Sequence, residues 1–451
     1  MAPYRHYSWL GLVQVCRRWR YLVFTSPRRL GLRFLCRATK SVREILDVWS
    51  TMQIIIPDLQ LTCLYGDHNI IAALEHRDRV CEIDLSRLTS SLLERLATMM
   101  QEPFPVLTKL DLHYSSYHGH TPPVLPDTFL GGFAPRLQSL HLSGIPFPTL
   151  PKLLLSARDL VSLRLINVPH TGYISPEAMV TCLSTLTKLE SLTLAFQSPS
   201  SCPYQGGQRP PPLTRIVLPV LTKLDFQGVG DYLEDLLSRM DTPVIRGIET
   251  TFFHQDIIFD TRHLLESISR TATLEPLRHA RLHYYNGIGR IDLHSVCRNY
   301  GNPSLSIGVL CDEFNWQVSF LVHICNQFLP LLSSVESLYI QYDRQDDIYH
   351  AQWLEIFRPF IALQSLHIEP RVVPLIAFAL QELTGDRVME VLPALHSIYL
   401  TLDPPRSARK ALDQFTDARQ LSGHPLTVQC PAVDTRVKTA VVRRALLLRS
   451  E

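Results

Sequence analysis

A short alternation of apolar and polar positions, apolar-x-x-apolar-x-apolar, recurs along most of the chain. The last two apolar positions of each copy are two residues apart, so their side chains point to one side of a short strand. The residue between them points to the opposite side. Each copy therefore predicts a strand with one buried and one solvent-facing side. The copies span 80–85, 107–112, 137–142, 160–165, 189–194, 221–226, 277–282, 335–340, 363–368 and 395–400.

The copies follow one another at a distance that suits a strand plus a helix. The first six start 27, 30, 23, 29 and 32 residues apart, and the two longer gaps contain weaker copies at 243–252 and 304–310. Segments with helical spacing lie between the copies, and several follow a capping residue such as Thr89, Asp231 or Ser407. One strand and one helix in about 20–29 residues is the unit of a leucine-rich repeat.

This pattern predicts an α/β fold, namely an irregular leucine-rich-repeat solenoid over 28–430 with a parallel sheet on one face and helices on the other. We expect irregularity because the repeat lengths vary and the position of the ladder asparagine is not regularly Asn. The Pro-, Gly- and Ser-rich stretch 197–213 predicts a surface loop, either a tolerated insertion or a loop that contacts a partner. Residues 431–451 are predicted to be a C-terminal tail.

Residues 1–27 predict a short helical segment before the array. Apolar residues from Trp9 to Val23 recur at helical offsets and form one stripe, with the neighbouring arginines largely off it. Pro27 ends the predicted helix, because proline lacks the amide proton that a helix interior needs. Alternation over 30–34 predicts a first strand.

The residue types in this segment are more informative than the spacing of its apolar positions. The string L-x-x-V-C-R-R-W-R-x-L-x-x-x-S-P-R-R-L resembles the second half of an F-box, and it precedes a leucine-rich array. This combination is similar to the F-box-like proteins that are abundant in mushroom-forming fungi, and the resemblance covers nearly the full length. No counterpart of the first F-box helix precedes Trp9, so the F-box is expected to be partial. The matching positions are Leu12, Val15, Cys16, Arg17, Trp19, Leu22, Ser26 and Pro27.

The resemblance implies a non-catalytic substrate receptor of a cullin-RING (SCF-type) ubiquitin ligase. In that family the F-box docks onto the acidic Skp-type linker and the repeats hold a protein substrate. An alternative is a free-standing repeat scaffold that binds a partner without any ligase. The resemblance assigns linker docking to Trp9, Leu12, Val13, Cys16, Trp19 and Leu22.

Charge is distributed unevenly along the chain. Residues 1–43 hold ten Arg and Lys and no Asp or Glu, although the formal net charge of the whole chain is only +2. A basic N-terminus is typical of a transit peptide, a nucleic-acid arm or a docking module for an acidic partner. Two tryptophans and a Ser-Pro turn fit a presequence poorly, and no stacking pattern supports nucleic-acid binding. We therefore favour docking, and expect neither nucleic acid nor membrane as a partner.

Motifs for catalysis are missing from the sequence. It contains no GxSxG, GxxxxGK[ST], HExxH or GxGxxG, so we expect no catalytic site and no cofactor. His113, His118 and His120 are interpreted as incidental loop histidines rather than metal ligands, and no metal is expected. The segment 287–289, Gly-Ile-Gly, is interpreted as part of a loop.

Cysteine usage and hydropathy bear on the compartment. The ten cysteines lie far apart without a CxxC, which is typical of reduced, mostly buried thiols in a cytoplasmic or nuclear protein. No apolar run approaches the roughly 18 to 20 residues that span a bilayer.

The solvent-facing strand positions are the best candidates for partner contacts. Each lies between the last two apolar residues of a copy, and their mixture of charge, His and Tyr suits a protein-binding surface. Ordinary solvated strand faces would have the same composition. The predicted substrate-binding face comprises Asp84, Asp111, His141, Arg164, Thr193, Asp225, Tyr339, His367 and Tyr399.

Overall fold

The fold is α/β with mostly parallel strands, as predicted. The computed structural model describes residues 15–25, 33–36, 43, 46, 52–58, 66–115, 122–147, 152–202, 215–253, 261–271, 276–285, 287–295, 304–342, 350–383 and 385–430. It contains two compact units, the first formed by Met1–Ile248 and Phe259–Thr273 and the second by Glu249–Ile258 and Leu274–Glu451. Across these described ranges no helix has both the length and the hydropathy that a bilayer crossing requires.

Strands of the first unit form a parallel array in the order β1-β2-β3-β4-β5-β6-β7-β9. Strands β8 and β10 pair separately, also in parallel. Strand β11 starts in this unit and ends in the second. The strands are β1 (Arg33–Leu35), β2 (Gln53–Ile56), β3 (Val80–Leu88), β4 (Lys109–Tyr114), β5 (Ser139–Ser143), β6 (Ser162–Val168), β7 (Ser191–Phe196), β8 (Ile216–Val217), β9 (Lys223–Gly228), β10 (Met240–Asp241) and β11 (Gly247–Phe253).

One helix of the first unit, α1, precedes the predicted strands, and the others fall between them. Thr89 caps α3 as predicted, since its hydroxyl accepts a hydrogen bond from the amide of Leu92 at 3.4 Å. Asp231, by contrast, lies inside the first turn of α6, and Val229 occupies the capping position. The helices are α1 (Arg17–Thr25), α2 (Gly66–Leu74), α3 (Ser90–Met99), α4 (Lys152–Ser156), α5 (Pro176–Leu183), α6 (Gly230–Ser238) and α7 (Arg262–Arg270).

The buried sides of these strands form rows of apolar side chains. Leu110 on β4 pairs with Leu140 on β5, which pairs with Leu163 on β6, and the row continues through β7 and β9. Another series of paired apolar side chains begins at Leu112 and crosses the same strands. All of these side chains are buried, so the predicted inward positions are confirmed along this array.

A chain of backbone hydrogen bonds connects the starts of successive strands, and we call it the backbone ladder. At each step one carbonyl accepts from the two successive amides that open the next strand, at 2.8 to 3.1 Å. The carbonyl of Thr108, for example, accepts from the amides of Gln138 and Ser139. In the first unit the ladder runs through Thr108, Gln138, Val161, Glu190, Thr222 and Arg246, and in the second through Arg278, Glu336, Gln364 and His396.

Strands of the second unit depart from the predicted all-parallel arrangement. From β14 onward their order is β14-β13-β12-β15-β16-β17-β18. Strand β13 is antiparallel to both of its neighbours, whereas β12 and β15 to β18 pair in parallel. The strands are β12 (His279–Tyr285), β13 (Ile288–His294), β14 (Leu305–Leu310), β15 (Ser337–Tyr342), β16 (Ser365–Ile368), β17 (Ser397–Leu400) and β18 (Thr427–Gln429).

The interpretation of 287–289 as a loop was wrong, because Ile288 and Gly289 begin β13. Tyr285 pairs with Ile288, so two residues, Asn and Gly at 286–287, connect β12 to β13. Gly287 has a φ of 76°, in the left-handed region that a tight hairpin turn requires. An Asn-Gly pair between apolar segments is a strong hairpin signal, and it accounts for the antiparallel strand.

Helices of the second unit include one that carries a buried arginine. Helix α11 packs against α10 and α12. Ser407 lies within α12 instead of capping it, since the cap is Pro405. The helices are α8 (Phe314–Gln327), α9 (Leu329–Leu332), α10 (His350–Phe357), α11 (Val373–Gln381) and α12 (Arg406–Leu421).

Arg419 on α12 has a side chain that is only 1% exposed. Its guanidinium donates to the carbonyls of Leu392, Pro393 and Leu395 at 3.3, 3.1 and 2.8 Å. Leu392 has a φ of 53°, a conformation that costs free energy in a residue with a side chain. Arg419 thus fixes the strained turn that leads into β17.

Several predicted segments lie outside the described residues. These are the N-terminal residues 1–14, the part of the predicted loop from 203 to 213, and the C-terminal residues 431–451. Residues 199–201 of the loop form a 3-10 turn, Pro199–Ser201. The cysteines in the described ranges are free, and six of these eight are buried. Burial raises the pKa of Cys36 and Cys325 to about 12, as expected of inert thiols.

Replacing Arg419 with methionine is expected to lower the free energy of unfolding by about 3 kcal/mol, because three buried carbonyls lose their donor. Urea denaturation measures this change. Arg409 on the same helix is exposed, so Arg409→Met serves as the control and should change stability by less than about 0.5 kcal/mol. Equal effects of the two substitutions would contradict the structural role of Arg419.

Candidate functional site

Six of the predicted face residues form one continuous row across the first unit. Asp84 pairs with Asp111, Asp111 with His141, and His141 with Arg164. Arg164 in turn pairs with Thr193, and Thr193 with Asp225. We call these six residues the first row. Because they pair in register on adjacent parallel strands, their side chains stand side by side on the face opposite the leucines.

The acidic end of the first row is held by a lysine that sequence reasoning did not single out. Lys109 Nζ lies 2.7 Å from Asp84 Oδ2 and 3.9 Å from Asp111 Oδ2. Lys109 is two residues before Asp111 on β4, so both side chains project from the same face. One ammonium thus bridges two neighbouring carboxylates.

Two histidines approach the same carboxylate from the other side. Oδ1 of Asp111 lies 2.8 Å from Nε2 of His113 and 3.0 Å from Nδ1 of His141. Burial alone would raise the pKa of Asp111, but the two imidazoles outweigh it and lower that pKa well below its usual range. His113 lies on β4 beside Asp111. The interpretation of His113 as a loop histidine was therefore wrong. His118 and His120 lie outside the described residues.

In the remaining part of the first row, the second carboxylate oxygen of Asp225 has partners, whereas its Oδ1 has none among the described residues. Thr193 Oγ1 donates to Asp225 Oδ2 at 3.1 Å, and Lys223 Nζ lies 3.0 Å from the same oxygen. Arg164 is exposed, and no carboxylate of the described residues forms an ion pair with it. It is the cation of this row that remains available to a partner.

Three further face residues form an aromatic stack in the second unit. Tyr339 pairs with His367, and His367 with Tyr399. The ring centroids of Tyr339 and His367 are 4.0 Å apart and those of His367 and Tyr399 are 4.5 Å apart, with interplanar angles of 10° and 8°. Burial lowers the pKa of His367, so its ring is neutral near pH 7.

Arg281 extends this stack, although sequence reasoning did not include it. It pairs with Tyr339 across β12 and β15, and its guanidinium carbon lies 5.9 Å from the centre of the Tyr339 ring. We call Arg281, Tyr339, His367 and Tyr399 the second row. Position 281 lies between the apolar residues 280 and 282 of a predicted copy, so the alternation that yielded the other face residues would have found it.

A polar cluster on the antiparallel strands adjoins Arg281. Asp292 on β13 pairs with Arg281, accepts a hydrogen bond from Ser306 Oγ at 2.7 Å, and lies 2.9 Å from Nε2 of His283. Burial would raise the pKa of Asp292, but these contacts lower it overall. This cluster was not predicted, because β13 was interpreted as part of a loop.

Three of the predicted linker-docking residues lie at the start of the described chain. Trp19 and Leu22 are exposed on α1, and Cys16 precedes this helix and is exposed. Trp19 and Leu22 are three positions apart within the helix, so they project to one side of it. Trp9, Leu12 and Val13 lie outside the described residues.

Comparison with known proteins adds no family to these observations. No protein-family model matches the chain, and no curated protein matches it in sequence.

Replacing Asp292 with asparagine is expected to lower the free energy of unfolding by about 1–3 kcal/mol at pH 7, because the lost carboxylate charge is stabilised by the Ser306 hydroxyl and by nearby Arg290. The folded-state pKa of Asp292 is lowered. Its contribution is therefore present above the unfolded-state pKa of about 4 and is lost as the pH falls through the folded-state value.

Urea midpoints between about pH 3 and pH 7 measure this difference. The difference in urea midpoint between wild type and Asp292→Asn should become smaller as the solution is acidified. Asp403, whose side chain is 69% exposed beside Arg409, provides the control substitution Asp403→Asn. A difference in urea midpoint that stayed constant from about pH 3 to pH 7 would contradict the assignment of Asp292 as an ionised carboxylate with a lowered pKa.

Proposed function

We propose that this chain is a leucine-rich-repeat protein that binds another protein through its strand faces and serves as a non-catalytic substrate receptor of a cullin-RING ubiquitin ligase. The observation that carries the binding proposal is the pairing of the predicted face residues into two continuous rows. Each row presents polar or aromatic groups on the side of the strands away from the core.

The repeat interpretation is supported by the recurrence of one local arrangement. The same backbone ladder step, with two amides on one carbonyl, precedes β5, β6, β7 and β9 in the first unit and β15, β16 and β17 in the second. Strands with equivalent sequence phrases pair at equivalent positions, as Ser139, Ser162 and Ser191 do. This regularity is what stacked copies of one structural unit require.

The chemistry of both rows suits a protein partner. The charges of the first row are held in place by neighbouring side chains, so little conformational entropy would be lost when a partner docks. Arg164 offers an exposed guanidinium near the middle of that row. The second row adds stacked tyrosines, and Tyr and Arg are enriched among residues that dominate interface energies.

The ligase part of the proposal rests on the resemblance of the N-terminal segment to an F-box. Exposed Trp19 and Leu22 on α1 supply apolar side chains for docking. The surrounding segment is basic and free of acidic residues, which suits the acidic Skp-type linker of that family. In the alternative, the free-standing repeat scaffold, these residues would have no role in linker binding.

Linker docking is tested by measuring the affinity of the full chain for a purified Skp-type linker. Trp19→Ala and Leu22→Ala should each weaken binding by about tenfold or more, since burying a large apolar side chain contributes roughly 1.5–3 kcal/mol. Tyr21 is exposed on another side of α1, so Tyr21→Ala should bind like wild type. Absence of linker binding by the wild-type chain would favour the free-standing scaffold.

The binding face is tested by comparing the proteins that co-purify with wild-type and variant chains in cells treated with a proteasome inhibitor. Arg164→Glu and Tyr339→Ala should each reduce recovery of a bound partner severalfold, because each alters a residue of one of the two proposed contact rows. Glu94 is exposed on helix α3, and Glu94→Lys provides a charge reversal away from the strand face. A partner lost equally with Glu94→Lys would count against the face assignment.

A further inference from the structure

We propose that Asp111, His113 and His141 form a binding site for a divalent transition-metal ion of the zinc class. Each residue offers one ligand atom, and the three ligand atoms lie within 4.8 Å of one another. The proposal does not depend on the partner or ligase function proposed above, because it concerns the chemistry of the strand face alone.

The position of the three residues follows from the pairing of two strands. Asp111 and His141 are register partners on β4 and β5. His113 is two residues after Asp111 on the same strand, so it projects from the same face. Adjacent parallel strands are about 4.8 Å apart, which places a carboxylate and two imidazoles around one point. The ligands are therefore held by extended backbone and not by a loop.

Two buried polar atoms of this cluster lack a hydrogen-bond partner. Oδ1 of Asp111 lies 2.8 and 3.0 Å from the two imidazole nitrogens but is poorly aligned with their N–H directions, and Nε2 of His141 has no partner among the described residues. Buried polar atoms are almost always satisfied, and an exception points to a missing water or ion. A cation among the three ligand atoms would give the Asp111 oxygen the partner that the protein itself does not supply.

The distances suit a small cation with nitrogen and oxygen ligands. Zinc binds His nitrogen and carboxylate oxygen at about 2.0–2.2 Å in tetrahedral geometry, so ligand atoms lie about 3.3–3.5 Å apart. The separations of Asp111 Oδ1 from His113 Nε2 and His141 Nδ1, 2.8 and 3.0 Å, are slightly shorter. A small rotation of the Asp111 carboxylate, together with the half-exposed His113 ring, would lengthen both. Two histidines and one carboxylate also form a ligand set that binds ferrous iron.

The charge around the cluster permits a dication. Lys109 places one positive charge beside Asp111, but its ammonium lies closer to Asp84. The two carboxylates together outweigh the single lysine. Three protein ligands also leave a coordination position of a tetrahedral ion open. His113, the most exposed of the three ligands, lies on the solvent side of the site.

The test is a Zn²⁺ titration of the untagged, chelator-stripped full chain in competition with a chromophoric chelator. Wild type should bind with an affinity that falls more than about tenfold in His113→Ala, the lower bound for loss of even an outer-shell partner. His350 matches His113 in exposure and contacts Glu382 at 2.9 Å. The control variant His350→Ala should therefore bind Zn²⁺ like wild type.

Two further measurements keep the result decisive. Asp111→Asn retains the shape of the side chain while removing its charge, and it should also weaken Zn²⁺ binding. Unfolding curves recorded in the presence of chelator would show whether His113→Ala perturbs the fold, in which case Asp111→Asn decides the test. Co²⁺ in the wild-type chain should give a visible d–d spectrum without the near-ultraviolet thiolate band that cysteine ligands produce. Wild-type affinity in both site variants, a thiolate spectrum, or no saturable binding to wild type would overturn the proposal.

Discussion

The backbone ladder is the interaction on which the other features of the structure depend. A parallel sheet contains no hairpin turns to set the register of its strands, so something else must fix where each strand begins. Here the carbonyl of the residue just before one strand accepts hydrogen bonds from the two backbone amides at the start of the next strand, at 2.8 to 3.1 Å. Within each series, the amide of an accepting residue also donates a hydrogen bond to the carbonyl of the ladder residue before it. Threonine side chains reinforce the ladder at Thr108 and Thr222, whose hydroxyls donate to the carbonyls of Cys81 and Glu190. The bonds use only backbone groups and threonine, so no regular asparagine is needed.

Fixing the register determines the chemistry of both faces at once. A shift of the strand register by one residue would replace every buried leucine with a polar neighbour. The free energy of burying the apolar side chains therefore favours the same register that the ladder sets. The consequence on the outer face is that residues separated by about 30 positions in sequence become neighbours. Asp111 therefore lies beside His141, and His367 is stacked between Tyr339 and Tyr399. Neither the carboxylate–histidine cluster nor the aromatic stack would exist without that alignment.

The alternation in the sequence was sufficient to predict strands β3 to β7 and β9 and the residues on their outer face, because inward and outward positions differ by a simple period of two. The prediction that every outer-face residue is solvent-facing was wrong for His141 and Thr193, which are buried. It was not sufficient for β13, where an Asn-Gly connection creates an antiparallel strand inside a region interpreted as a loop. Contacts between side chains were also beyond its reach. His113 was grouped with its sequence neighbours His118 and His120, whereas its structural partners are Asp111 and His141. Lys109 was missed for the same reason, since its role arises from contacts across strands and not from a local motif.

The backbone ladder sets the strand register in which the rows of face residues are assembled. Native-state hydrogen exchange tests this role most directly, because it reports the free energy required to open individual amides. We expect slow exchange for the amides of Ser139, Ser162, Ser191 and Ser365, which donate to ladder carbonyls. These amides should be protected together, at a level close to that of the core strands. Exchange of these four amides as fast as that of amides in exposed turns would show that the ladder does not set the register.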